Sequence, residues 1–278
     1  YERALSEASS KEERGDVSAD RSVAPAGDLS KERGGDLSGD RAGDLPDDQA
    51  SDLPEDLAGN SAGNHRANAD EPPPRVTIVQ DWDTFNEWLQ KLSASDWFAF
   101  DTETTSLDPL EARLVGLSFA MEADEGIYIP LGHNGMDQPP QLPCANVLER
   151  LRPLFENPAI GKLCHHAKYD QHVLLNAGVA LQGIRFDTML ESYVLNSTAS
   201  GHSLDALALM RLDHPMITYE EVTGKGANQI PFSDVPIERA AAYAAEDAYM
   251  TFRLHHVLYP ELQASPSLLS VYEAIEVP

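Results

Sequence analysis

The sequence predicts an α/β domain, a mixed sheet flanked by helices, preceded by a disordered acidic linker. Three observations lead there. The texture of the chain changes abruptly at Pro72-Pro73-Pro74. Beyond that point strand-like and helix-like segments first alternate and then give way to helices, as in a sheet with helices packed on it. The 203 residues from Val76 to Pro278 are enough for one sizeable core.

In chain order, Val76–Val79 reads as a short strand and Asp81–Leu92 as a helix with Trp82, Phe85 and Trp88 on one face. Trp97–Asp101 is an apolar run of the length of a buried strand, and Leu114–Ala120 and Gly126–Pro130 continue it as a meander. Ala145–Phe155 is helical, Ile160–Cys164 a strand, and Lys168–Asn176 a helix that ends near Gly178. Ile184–Phe186 is another short strand. From Thr188 the pattern is mainly helical, clearest over Leu204–Met210, Ile237–Leu258 and Ser267–Ile275.

Residues 1–75 have a different composition, rich in Gly, Asp, Ser and Ala and poor in aromatics. Asp-Leu recurs every eight residues at Asp28-Leu29, Asp36-Leu37, Asp44-Leu45 and Asp52-Leu53. One Leu per eight residues cannot offset chain entropy, and solenoid repeats need about 20–50 residues per unit. The segment is read as a low-complexity linker, with repeat slippage in a tolerated spacer favoured over a docking motif.

The whole chain carries 20 Lys+Arg against 46 Asp+Glu, a formal charge of −26. The linker holds −9 of this and the remainder −17, so the folded part is acidic in its own right. Binding to polyanions by bulk charge is excluded, and any nucleic-acid contact must be local. No apolar run approaches the roughly 20 residues of a membrane span. Two cysteines, Cys144 and Cys164, are too few for a disulfide framework. With His165 and His166 they lack zinc-site spacing, so no zinc is expected. The start at Tyr1 suggests a piece of a longer polypeptide.

The chemistry is carried by acids at the ends of elements. Phe98-Ala99-Phe100-Asp101-Thr102-Glu103-Thr104 closes an apolar strand with two carboxylates at i and i+2. In extended chain these share a face about 6.5–7 Å apart, close enough to converge on one hard cation. A second acid, Asp170, lies where a strand gives way to a helix. A third segment places Tyr243 and Asp247 four apart on a helix, among alanines that let it lie close to the sheet. Asp101, Glu103, Asp170 and Asp247 together would balance two Mg²⁺ ions. All-oxygen ligands favour Mg²⁺ or Mn²⁺ over Zn²⁺, and two such ions form a clamp for in-line phosphoryl displacement.

The segments FDTETTSLD, HHAKYD, FDTMLESYVLNS, GKGANQIPFSDV and YAAEDAYMT resemble the motifs of the proofreading 3′→5′ exonuclease domain of bacterial DNA polymerase I, in the DEDD exonuclease superfamily. The resemblance runs through most of residues 76–278 and implies an RNase-H-like fold over 76–262. Residues 263–278 would begin the connection to a polymerase domain. It implies that Asp101, Glu103 and Asp247 bind a first metal, that Asp101 and Asp170 hold a second, and that Tyr243 orients the attacking water. Leu107 and Tyr219 would splay and stack terminal bases. His166, also assigned to DNA contact, stands where related enzymes usually have Asn.

The implied activity is metal-dependent release of nucleoside 5′-monophosphates from a single-stranded 3′ end of DNA, with two Mg²⁺ or substituting Mn²⁺ as cofactors. The polymerase domain of the same parent chain is the implied partner. An RNase D-type exoribonuclease is the alternative with the same four acids and tyrosine, and a catalytically silent support domain is the alternative outside the enzymes. A bacterial cytoplasm is the expected location, an organelle the other option. Asp187, ahead of the FDTMLES helix, is expected to be an N-cap. Gly224-Lys225-Gly226 lacks the phosphate-loop pattern and is expected to be a plain loop.

Overall fold

The computed structural model describes residues 74–135, 138–199 and 201–278. The Asp-Leu repeats and nearly all of the proposed linker therefore lie outside the described residues. In chain order the elements are β1 (Arg75–Ile78), α1 (Trp82–Ala94), β2 (Trp97–Thr104), β3 (Leu114–Glu122), β4 (Glu125–Pro130), α2 (Cys144–Phe155), β5 (Gly161–Cys164) and α3 (Ala167–Asn176). They continue with β6 (Ile184–Asp187), α4 (Thr188–Leu195), α5 (Leu204–Leu212), α6 (Tyr219–Thr223), α7 (Ile237–Gln263) and α8 (Pro266–Val271). Among the described residues no helix is long and apolar enough to cross a membrane.

The six strands form one sheet in the order β1-β4-β3-β2-β5-β6. The meander β2-β3-β4 is antiparallel, whereas β1 joins β4, β5 joins β2 and β6 joins β5 in parallel. Parallel neighbours need crossovers, which explains why α2 precedes β5 and α3 precedes β6.

Strand alternation sorts the two faces. Phe98 and Phe100 of β2, Leu117 and Phe119 of β3, and Ile127 and Ile129 of β4 point to one side. There they pack on Phe85, Trp88 and Leu92 of α1 and Val147, Leu151 and Phe155 of α2. The Asp81 carboxylate caps α1 by accepting from Thr84 N at 2.9 Å.

The opposite face carries small side chains and is covered by α7, which packs across β1, β4, β3, β2 and β5. Ala99, Ala120, Ala240, Ala241, Ala244, Ala245 and Ala248 are all buried there. A Cβ added at Gly126 would lie 2.8 Å from the Ala245 carbonyl oxygen, so helix and strand meet backbone to backbone. The alanine-rich stretch lies close to the sheet, as its composition predicts.

The structure extends several of the expected elements and divides one. β2 continues past Asp101 through Thr104, because β3 still pairs with it there. β1 begins at Arg75, which takes the last position assigned to the linker into the sheet. α7 runs on to Gln263 through Pro260, whose missing N–H falls in its final turn. The single helix expected over Ser267–Ile275 is divided into α8 and a π-helical turn, Tyr272–Glu276. Tyr272 drives that change: it is fully buried, and its hydroxyl accepts from Asp187 N at 2.8 Å.

Candidate active site

β2 builds the site from its alternation. With Phe98 and Phe100 committed to the aromatic side, Ala99, Asp101 and Glu103 face α7. β5 is registered with β2 only as far as Ala99 and leaves the sheet at Cys164. The Thr102 N–H beyond that point therefore has no strand to donate to. Asp170, in the first turn of α3, takes it: its Oδ1 accepts from Thr102 N at 3.2 Å and Thr102 Oγ1 at 2.7 Å. From the other side α7 delivers Asp247, one turn after Tyr243.

Asp101, Glu103 and Asp247 each place a carboxylate oxygen within 4.8 Å of the others. Among the described residues this is the only such group of three or more His, Cys, Asp or Glu. Glu103 and Asp247 are buried, Asp101 partly so, and Asp170 is buried beside them. The spacing of the acids along the sequence thus becomes a real convergence for three of them, with the fourth held next to them by Thr102.

Electrostatics shows what the cluster lacks. Burial pushes Asp101 up to about 7 against the opposing pull of the Thr102 N–H. Burial, then the charges of Asp101, Asp247 and Asp170, hold Glu103 well above the usual carboxylate range. Asp170 is raised by burial and by Asp101, with its Thr102 bonds opposing the shift. Asp247 is raised by burial and by Asp101, Asp205 and Glu246, while the neighbouring Tyr243 phenol partly offsets them. Acids buried together in this way ionise readily only when something positive joins them.

Two buried oxygens on this face have no hydrogen-bond partner, Glu103 Oε1 and Ser118 Oγ. Ser118 is registered against Asp101. An unpartnered carboxylate oxygen within an all-oxygen donor set fits a hard divalent cation.

Around the acids stand the other residues singled out from the sequence. Tyr243 is half-buried, and burial followed by the charges of Asp247 and Glu103 raises its phenol further above the ordinary tyrosine value. Tyr219 of α6 is 43% exposed, stacks on Phe232 at 6.1 Å and meets Tyr243 edge-on at 6.3 Å. Leu107 is 94% exposed on the loop after β2. Neither Leu107 nor Tyr219 belongs to the core.

His166 is exposed, precedes α3 with φ 72° and lies 6.5 Å from the parallel ring of Tyr169. Asn, Asp and His are the side chains enriched in left-handed backbone, so an Asn or His at this position has a backbone reason. Gly224 and Gly226 are both at positive φ, a turn following α6.

Several residues shape the site through contacts that the sequence does not reveal. Tyr169 donates to the Ser106 carbonyl and bonds the Thr104 hydroxyl, fixing the root of the Leu107 loop. Asp187 caps α4 as expected, but it also accepts from His166 N and Ala167 N, holding the start of α3. Glu246 turns away from the acids and accepts from Ile217 N at 2.6 Å and meets His214 Nε2 at 2.8 Å. It thereby ties down the segment that leads to Tyr219.

A mixed sheet of this order, with carboxylates on its central strand answered by one acid from the helix after β5 and one from a long crossing helix, makes an α/β scaffold whose acidic cluster could hold a metal ion. The family model for the 3′-5′ exonuclease matches residues 76–263, and the chain belongs to that family. DNA polymerase I of Pseudomonas aeruginosa is 50% identical over 203 residues, covering 72% of this chain and 22% of the relative. DNA polymerase I of Chloroflexus aurantiacus is 42% identical over 208 residues, covering 75% of this chain and 22% of the relative. The chain thus spans about a fifth of the curated relatives it matches.

Among solved structures, the POL domain of Pol1 from M. smegmatis, in complex with DNA primer-template and dNTP, superposes with a TM-score of 0.56 at 20% identity. That match covers 72% of this chain and 30% of the other. The apo form of a nuclease superposes at 0.52 with 18% identity over 72% of this chain and 86% of the other. At these identities the likeness speaks for the fold.

Proposed function

We propose that the chain is the proofreading 3′→5′ exonuclease part of a longer family A DNA polymerase, removing nucleoside 5′-monophosphates one at a time from a single-stranded 3′ end of DNA. The observation that carries this reading is the convergence of Asp101, Glu103 and Asp247 beside Asp170, with Glu103 Oε1 buried and unpartnered. The family membership and the DNA polymerase I relatives support DNA as substrate and a polymerase domain in the same parent chain as partner. Residues 263–278 are read as leading toward it.

In this reading Asp101, Glu103 and Asp247 hold one Mg²⁺ and Asp101 and Asp170 a second, with Mn²⁺ able to substitute. Such ions supply Lewis-acid stabilisation of the phosphate and a lowered pKa for the attacking water. The chain's own groups do the rest. Tyr243 keeps its proton at Oη throughout the working pH range, so it orients the water by hydrogen bonding and never acts as its base. Thr102 prevents Asp170 from swinging away, because two bonds converge on one of its oxygens.

Leu107, exposed on its loop, and Tyr219, set on the Phe232 ring, offer apolar and aromatic surfaces against which terminal bases separate and stack. Such contacts accept any base, as an editing site requires. His166, beside the Tyr169 ring, is read as a further contact to the DNA. A net charge of −17 over residues 76–278 gives duplex phosphates little purchase, so an end must fray before it is cut.

The test is degradation of 5′-labelled single strands with Mg²⁺, comparing DNA with RNA of one sequence. Stepwise shortening of DNA from the 3′ end, lost in EDTA and much slower on RNA, is expected. Preference for RNA, or cleavage inside the strand, would overturn the reading.

A further inference from the structure

Glu103 is registered against Gly116 across the β2–β3 pair, so both project toward α7. A Cβ at Gly116 would lie 2.2 Å from the Tyr128 hydroxyl oxygen and 2.3 Å from its Cε2 and Cζ. The end of the phenol therefore fills the space that a side chain opposite Glu103 would take. Side chains directly opposed in an antiparallel pair have Cβ atoms about 4.5–5.5 Å apart, which sets the Tyr128 hydroxyl beside the Glu103 side chain. Burial, and after it the Glu103 charge, raise the Tyr128 phenol above its ordinary value.

A buried O–H next to a buried carboxylate would ordinarily donate to it. Here it is drawn elsewhere, since Tyr128 Oη lies 2.7 Å from His133 Nε2. His133 Nδ1 lies 3.0 Å from the Val235 carbonyl oxygen, which can only accept. Nδ1 therefore carries the ring hydrogen, Nε2 is the acceptor, and Tyr128 donates to it. Burial lowers the His133 pKa and keeps the ring neutral. Glu103 Oε1 is left without a donor although it is buried.

We propose that Tyr128 and His133 are positioning residues of the carboxylate cluster, His133 capturing the Tyr128 hydroxyl so that Glu103 Oε1 stays bare for a divalent cation. The inference deepens, and rests on, the metal-dependent reading above. Gly116 is its structural condition, because a side chain there would expel the phenol from its place.

The discriminating variants are His133→Leu, which removes the acceptor, Tyr128→Phe, which removes the hydroxyl and keeps the ring, and the pair together. Binding of Mn²⁺ to the full chain without DNA is followed by isothermal titration calorimetry, with circular dichroism to verify folding. His133→Leu is expected to bind about tenfold more weakly than wild type, because the released hydroxyl turns to Glu103. Tyr128→Phe, and the double variant, are expected within twofold of wild type.

Rescue by the second substitution is what a merely structural histidine would not produce. Wild-type affinity in His133→Leu, a double variant as weak as His133→Leu, or equal weakening by Tyr128→Phe would each overturn the proposal. If His133→Leu does not fold, His133→Asn, too short to reach the hydroxyl, is judged by the same comparisons. Failure of the wild-type chain to bind Mn²⁺ would overturn the metal-dependent reading itself and this inference with it, whereas wild-type binding with no rescue overturns this inference alone.

Discussion

Replacing Asp101 by Asn should make the metal-free protein more stable while destroying its activity, and the gain should depend on pH. Burial moves the Asp101 carboxyl from 3.8 to about 7, so the folded chain holds this proton more tightly than the unfolded chain. Stability from such a group is fully present below the unfolded value and is lost as pH rises through about 7. At about 1.4 kcal/mol per pKa unit the loss is on the order of 4 kcal/mol, reduced to roughly 2–3 by the partial solvent access of Asp101.

Asn is nearly isosteric and cannot ionise, so Asp101→Asn should escape that loss. For a domain of this size each kcal/mol shifts the melting temperature by roughly 2–4 °C, giving an increase of about 4–12 °C at pH 8 in EDTA. At pH 5, where the wild-type carboxyl is largely protonated, the two should melt within a few degrees. Adding Mg²⁺ at pH 8 should raise the wild type and hardly move the variant, and exonuclease turnover of Asp101→Asn should fall by several decades. Thermal melts at two pH values, with EDTA and with Mg²⁺, measure all of this. A variant that melts at or below wild type at pH 8 in EDTA would refute the argument that these buried acids strain the metal-free fold.

Tyr243→Phe removes the hydroxyl that orients the water and should lower kcat by about 10²–10⁴ with the melting temperature nearly unchanged; single-turnover rates on a DNA oligonucleotide check it. Glu246→Ala frees Ile217 N and His214, and loosening the segment before Tyr219 should raise KM for single-stranded DNA several-fold while kcat stays within about threefold, with a stability loss of about 1–3 kcal/mol from the unpaired groups. Gly126→Val drives a side chain into the Ala245 backbone of α7 and should cost about 1–3 kcal/mol or more, read by urea denaturation, with metal affinity falling alongside.

The elements that hold the acids were legible because each obeys one period. Phe98, Phe100, Asp101 and Glu103 announce a strand with one greasy and one acidic face, and Tyr243 and Asp247 share a helix face at any tilt. Asp170 was legible as an acid at a strand-to-helix junction. Its grip on Thr102 was not, because that bond depends on β5 pairing with β2 only as far as Ala99 and stopping short of Thr102, a fact of sheet register.

Gly116, Ser118 and Tyr128 were invisible for a related reason. Each looks like an ordinary strand residue, and only the pairing of β3 with both neighbours brings them to the acids. Glu246 lies inside a motif that was read, but the direction of its side chain depends on where the loop before α6 passes. The break after Val271 followed from a tertiary contact of Tyr272 overriding helical periodicity.

Backbone-to-backbone packing of α7 on the sheet also bears on which cations the centre can accept. Two residues before Asp247, α7 meets the sheet directly, the Ala245 backbone lying against Gly126 of β4 with no side chain between them. At that point the spacing of helix and strand is set by the van der Waals radii of glycine, alanine and peptide groups. Mg²⁺ takes oxygen ligands at about 2.0–2.1 Å in a rigid octahedron, and Ca²⁺ needs more ligands at about 2.3–2.6 Å. In the metal-dependent reading proposed above, a helix seated this way would favour the smaller ion over one for which the cage must swell.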